Sequence, residues 1–247
     1  AARMLAEPCR AYFVLHAEPE LDCANPQQAL AALKGADLVV ALTPFKTRAV
    51  DYAHVILPIA PFTETSGTFI NTEGRVQSFN AVVKPLGETR PAWKVLRVLG
   101  NLLGLPGFEQ ESSEAVRDEV LGGKPATVAE RLNNRAEGAS INLSAAVPAL
   151  QRIADVPIHF ADPLARRAPS LQKTRDAAPP AARMNAATLA KLGLAAGAQV
   201  KVSLGGTAIL AAQLDAGVPD GCVRVAAGHE LTSGLGPMQG ELTVERA

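Results

Sequence analysis

Apolar residues first gather at Ala11 to His16 (AYFVLH), and the acidic turn Glu18-Pro19-Glu20 closes this strand-like run. Asn25-Pro26 then offers an N-cap and a first-turn proline, which predicts a helix over Gln27 to Lys34 with Gly35 as its left-handed C-terminal cap. Leu38 to Leu42 (LVVAL) is apolar throughout, the pattern of a strand buried on both faces. A polar stretch through Lys46, Arg48 and Asp51 predicts a short helix before a third run, His54 to Leu57, which Pro58 ends. Strand, helix, strand, short helix, strand implies parallel strands joined by right-handed crossovers.

The pattern changes between Glu64 and Phe79. Gly67 and Gly74 bracket two short β-prone stretches, Thr68 to Asn71 and Arg75 to Phe79, predicting an irregular hairpin with φ > 0 at Gly74. Pro91 opens an amphipathic helix with Ala92, Val95, Leu96, Leu99, Leu102 and Leu103 on one face, stopped by Gly104 and Pro106. Glu109 to Val120 and Ala126 to Asn133 predict two solvent-facing helices, while Gly138 to Pro180 is proline-rich and aperiodic, a connector. Val200 to Leu204, Ala208 to Leu214, Cys222 to Ala226 and Leu242 to Glu245 read as strands of a small barrel, separated by glycine-bearing turns. The predicted organisation is a Rossmann-like α/β domain over 1–108, a helical segment over 109–150, a connector over 151–180 and a small β-barrel over 181–247.

Composition removes several function classes. The 24 Lys and Arg balance 24 Asp and Glu, so the basic footprint of a nucleic-acid binder is missing. The longest stretch without a charge, Gly138 to Gln151, is shorter than a spanning helix and broken by Pro148, which predicts no direct membrane insertion. Cys9, Cys23 and Cys222 lie 14 and 199 positions apart, which excludes a self-contained four-cysteine iron-sulfur or zinc site. Ala1-Ala2-Arg3 carries no initiator Met and no signal-like segment, and is read as the start of an excised C-terminal portion.

The search for chemistry is mostly negative. The turn after Ala11 to His16 contains Glu18, Glu20 and Asp22 and no glycine, unlike the G-x-G-x-x-G turn that seats a pyrophosphate. Gly123-Lys124 is followed by Pro125, so there is no P-loop, and no G-x-S-x-G elbow occurs. His229-Glu230 has Ser233 where a zinc protease needs its second histidine, and His16, His54 and His159 are scattered. No catalytic or metal residue is assigned. Glu64, Glu73 and Arg75 stand apart because the flanking glycines let polar groups be placed close together.

At this cluster, Ala53-His54-Val55-Ile56-Leu57-Pro58 followed by Glu64-Thr65-Ser66-Gly67-Thr68-Phe69-Ile70-Asn71-Thr72-Glu73-Gly74-Arg75-Val76-Gln77 resembles the molybdopterin oxidoreductase superfamily. Its pattern there is E-x-x-G-T-x-x-N-x-E-G-R-x-Q after a V-I-L-P strand. Three further stretches narrow the resemblance to the large iron-sulfur subunit of bacterial NADH-quinone oxidoreductase, respiratory complex I. They are Glu18-Pro19-Glu20-Leu21-Asp22, Gly87-Glu88-Thr89-Arg90-Pro91-Ala92-Trp93 and Asp162-Pro163-Leu164-Ala165-Arg166-Arg167-Ala168, the last being the one that favours complex I.

The resemblance implies a terminal double-psi barrel like the one that binds molybdopterin guanine dinucleotide in catalytic relatives. In the complex I subunit it implies no molybdenum cofactor, with [2Fe-2S] and [4Fe-4S] clusters bound upstream and not in this fragment. The fragment would then be an inactive scaffold within an NADH-to-quinone electron-transfer, proton-translocating complex. Its partners would be other subunits of the peripheral arm, at the cytoplasmic face of the bacterial inner membrane, with no nucleic acid. Glu64, Gly67, Asn71, Glu73 and Arg75 would line a vestigial cleft between the α/β domain and the barrel, with Arg75 paired to Glu64 or Glu73. Two alternatives stay open. One is the C-terminal part of a catalytic molybdopterin guanine dinucleotide oxidoreductase, of formate dehydrogenase or nitrate reductase type. The other is a free-standing small-molecule-binding α/β domain.

Overall fold

The computed structural model describes residues 1–123, 132–133, 138 and 149–247. Three parallel strands, β1 (Ala11–Leu15), β2 (Leu38–Thr43) and β3 (Val55–Pro58), form a sheet in the order β1-β2-β3. Helix α3 (Pro26–Lys34) makes the first crossover and a 3-10 turn, Arg48–Asp51, the second. Asn25 caps α3 as its sequence predicts, accepting from the Gln28 N–H at 3.2 Å. Gly35 departs from expectation. It sits at φ −85° in the right-handed region, because the chain leaves the helix through a further Ala36 N–H to Leu33 C=O bond and needs no reversal.

The two faces of this sheet are packed unequally. Tyr12, Val39 and Ala41 on one face join Leu30 and Leu33 of α3 in a core that Leu5 of α1 (Ala2–Ala6) also reaches. On the other face Val40, Leu42 and Leu57 meet Ala92, Val95 and Leu96 of α4 (Ala92–Leu102). The hairpin is present as β4 (Gly67–Ile70) and β5 (Val76–Phe79), antiparallel from Gly67 opposite Phe79 to Ile70 opposite Val76. The first acidic helix is shorter than predicted: α5 covers Ser113–Leu121, with Ser112 accepting from the Ala115 N–H. The helix predicted over Ala126 to Asn133 falls, apart from its last two residues, outside the described residues.

The C-terminal part is a seven-stranded, nearly closed sheet of order β11-β6-β10-β7-β9-β8-β12. Its strands are β6 (Gln151–Ile153), β7 (Ala182–Met184), β8 (Gln199–Ser203), β9 (Thr207–Leu214), β10 (Cys222–Arg224), β11 (Gly240–Glu241) and β12 (Thr243–Arg246). The two edge strands, β11 and β12, are separated in the chain only by Leu242, so the sheet has to curl until its ends approach. Its interior holds Met184, Val200, Val202, Val223, Val225 and Leu235, all fully buried. β6 lies within the stretch expected as connector and pairs with both β10 and β11. Three residues are too few to show an alternating pattern, which is why the sequence does not announce it.

Glycines allow two loops to interlock at one end of the barrel. A Cβ on Gly206 would lie 2.0 Å from the Gly234 carbonyl oxygen, and one on Gly236 would lie 2.7 Å from that of Leu204. Only residues without side chains permit that approach.

Candidate functional site

In open parallel sheets ligands collect outside the carboxyl ends of the strands. Here β1 ends at Leu15, His16 adopts φ +52°, and the chain turns through Ala17 into a one-turn helix α2 (Pro19–Asp22). The turn is fixed by the Glu18 N–H donating to the Asp22 carboxylate at 2.7 Å. This buries Glu18 and Glu20, at 4% and 2% exposure. Burial raises the Glu20 carboxyl above its ordinary pKa, and the Tyr52 hydroxyl donates to it at 3.5 Å. Burial and the neighbouring Glu20 in turn push the Tyr52 phenol up, and burial lowers the His16 imidazole.

Two arginines answer Glu18. Asp162 caps a one-turn helix, Pro163–Arg166, by accepting from the Leu164 and Ala165 N–H groups at 2.8 and 3.1 Å. The cap aims Arg166 and Arg167 across the gap to the α/β domain. Arg166 Nη1 lies 3.4 Å from Glu18 Oε2, and its Nη2 pairs with Asp22. Arg167 Nη1 lies 2.6 Å from Glu18 Oε1 while its guanidinium stacks over Phe45, 4.4 Å from the ring centre. Beside them is a cavity of about 380 Å³ whose charged lining is Glu18, Glu20, Asp51 and Glu230 against Lys46, Arg48 and Arg167. Deeper in the barrel, Arg152 is 3% exposed and has no carboxylate partner among the described residues. Its guanidinium donates to the carbonyls of Gly236, Pro237 and Val225, and burial lowers its pKa to about 10.

The junction between the two parts continues through backbone contacts. The Gln27 side-chain amide donates to the Ser233 carbonyl at 2.7 Å, and the Met238 N–H donates to the Ala24 carbonyl at 3.0 Å. The structure therefore does place a polar groove between α/β domain and barrel, built from residues other than the five expected there.

Those five lie on the hairpin and its approach. Asn71 organises the tip, its Oδ1 accepting from the Glu73 and Arg75 N–H groups at 3.1 and 2.8 Å. Gly74 has φ +76°, as its sequence context predicts. Gly67 serves packing instead: a Cβ there would meet the Phe79 ring at 2.7 Å. Glu64 accepts from the Leu86 N–H at 3.0 Å, and Glu73 accepts from the Asn71 side-chain amide at 3.5 Å. The expected Arg75 pairing is corrected. Arg75 is exposed and makes no ion pair with Glu64, Glu73 or any other described residue, because the Asn71 turn fixes its backbone and leaves the guanidinium in water. The cavity beside Glu64, about 580 Å³, is lined by residues between Glu64 and Glu114 and by none of the barrel.

Sequence reasoning singles out Glu18 to Asp22 and Asp162 to Ala168 separately, and misses that they meet. A buried acid in a turn with no nearby cation in sequence is the available signal. Arg152, lone in an apolar strand, leaves none.

Residues 1–102 match the molybdopterin oxidoreductase family model, so the N-terminal part of the chain is a domain of that family. Two relatives, both named "Putative formate dehydrogenase", match a segment of 90 residues or slightly more. That of Staphylococcus aureus (strain bovine RF122 / ET3-1) is 39% identical over 90 residues, 36% of this chain and 9% of its own length. That of Staphylococcus haemolyticus (strain JCSC1435) is 36% identical over 94 residues, 38% and 10% respectively. The matched segment thus spans about a tenth of those relatives. Acetylene hydratase from Pelobacter acetylenicus shares the fold over 99% of this chain and 46% of its own, with a TM-score of 0.67 at 17% identity. These comparisons support the superfamily resemblance, and not the narrower one to complex I.

The family implies a molybdopterin dinucleotide, which carries anionic phosphates. The turn after β1 does not fit a phosphate: it has no glycine, two of its carboxylates are buried, and the arginines facing it are already held by those carboxylates. Among the described residues no group of three His, Cys, Asp or Glu side chains could hold a metal, and no helix is long and apolar enough to cross a membrane.

Proposed function

We propose that this chain is the C-terminal, scaffold-forming portion of a molybdopterin oxidoreductase of formate dehydrogenase type. The observation that carries this reading is the 36–39% identity of the matched segment to proteins of that name. The chain's own contribution is to hold the α/β domain and the barrel in one arrangement through Glu18, Asp22, Arg166 and Arg167. Redox chemistry rests with residues beyond these 247. The test is to produce the complete parent protein anaerobically, then measure molybdenum content and formate-dependent dye reduction. Stoichiometric molybdenum with formate oxidation is expected; a parent lacking both overturns it.

A second reading, the large iron-sulfur subunit of complex I, is favoured by one observation. The arginines of Asp162 to Ala168 form, with Glu18 and Asp22, an internally neutralised clamp where a dinucleotide phosphate would lie. Under it the hairpin residues Glu64, Gly67, Asn71, Glu73 and Arg75 belong to a cleft that has lost its ligand. The partners are then other peripheral-arm subunits at the inner membrane's cytoplasmic face, and the iron-sulfur clusters lie upstream. A parent that carries several upstream cysteine clusters, contains iron without molybdenum, and copurifies with NADH-quinone reductase activity selects this reading.

A further inference from the structure

The parallel sheet is unfinished on one side. β1 pairs only with β2 among the described strands, and it does so through alternate residues: the Arg10 carbonyl accepts from the Asp37 and Leu38 N–H groups, and the His16 N–H donates to the Leu42 carbonyl. Arg10 and His16 share the parity of Tyr12 and Val14. The N–H and C=O groups of Ala11, Phe13 and Leu15 therefore point away from β2, along a free edge.

The same odd-numbered residues carry their side chains on the face that α4 covers. The register sets Phe13 beside Val40 and Leu15 beside Leu42, and Val40 and Leu42 are buried under α4. Beyond the reach of α4 the face is bare, with Phe13 51%, Leu15 43%, Leu38 40% and Val55 42% exposed. Parallel sheets are covered on both faces, and natural edge strands are blunted by charge, proline or a bulge. Ala11–Leu15 (AYFVL) has none of these devices.

We propose that β1 pairs in the parent protein with a further parallel strand, drawn from the polypeptide outside these 247 residues, and that a helix from the same source covers Phe13 and Leu15. The inference rests on the reading of this chain as part of a longer family member. The occupant is sought in the parent itself because the matched segment spans about a tenth of the relatives, and the shared fold 46% of the structural neighbour. Ample chain exists there to supply it. An apolar, unblunted parallel edge calls for a strand, and a contiguous bare face of Phe13, Leu15 and Leu38 calls for an apolar helix stripe.

The test is amide hydrogen exchange on the complete parent. The inward N–H groups of Tyr12 and Val14 serve as internal standards for the outward ones of Phe13 and Leu15. Pairing predicts that the outward pair exchanges within about ten-fold of the inward pair; exchange a hundred-fold or more faster overturns the proposal. Protection that vanishes on dilution assigns the edge to a second copy and also overturns it. Leu15→Lys should lower the parent's melting temperature while Ile209→Lys, at an exposed barrel position, leaves it unchanged; equal behaviour counts against the helix. A parent that shows this protection but fails to oxidise formate sinks the proposed function and leaves the sheet assignment standing.

Discussion

The barrel and the parallel sheet are both β structures of aliphatic residues, yet they solve burial differently. The barrel curls until β11 and β12 approach, so one continuous core takes thirteen buried residues, Leu235 from a glycine-bearing loop among them. The sheet β1-β2-β3 stays open and divides its burial between two smaller clusters, one on each face, with a fringe of Phe13, Leu15, Leu38 and Val55 in water. Closure lets a sheet cover itself with its own side chains. An open parallel sheet has to borrow cover from other elements.

Substitutions at the junction and in the two parts probe this contrast, the largest effect first. Arg166→Met leaves Glu18 without its most buried partner and should cost about 3–5 kcal/mol in urea denaturation. Adding Glu18→Gln should recover part of that loss. A cost below about 1 kcal/mol would mean that the clamp is solvated and the two parts are held by other contacts. Leu235→Ala, inside the closed core, should cost about 2–5 kcal/mol.

At the hairpin tip, Gly74→Ala forces a Cβ into φ +76° and should cost about 1–2 kcal/mol, readable as a lowered melting temperature. Glu20 tests burial by pH. Its carboxyl is raised above 4.5 in the folded protein. Stability attributable to it is therefore greatest below the unfolded pKa and declines as pH rises through the folded one. Glu20→Gln should be more stable than the parent sequence at neutral pH, with the advantage gone once the pH falls below the ordinary carboxylate range. An advantage that persists in acid would point to packing instead. The smallest effect is expected for Phe13→Ala in this chain, within about 0.5 kcal/mol, as at other exposed positions. If it matched Leu235→Ala, the contrast between open and closed sheet would fail.

Local signals make much of the fold legible. The apolar run Leu38 to Leu42, the Asn25-Pro26 cap and the alternation along Ala208 to Leu214 each lie within one element, and each reappears where its pattern predicts. The short barrel strands β6, β7 and β11, of two or three residues, carry too little periodicity to be read. Gly35 misleads because a glycine after a helix has a left-handed option that the next turn here does not use. The groove is hidden for another reason: Arg166 and Asp22 are 144 positions apart, and nothing in either segment specifies the other. Charge pairs of that separation are settled by topology, not by spacing.

That separation also has a timetable. A ribosome adding about 5–20 residues per second makes the α/β segment first, and Arg166 follows Asp22 by roughly 7–30 s. During this interval the nascent domain must keep the Glu18 and Glu20 carboxylates hydrated or protonated, so the turn after β1 cannot lock into its final form. Emergence of Asp162 to Arg167 releases that hold, and the last event of assembly becomes the one that seals the first loop made.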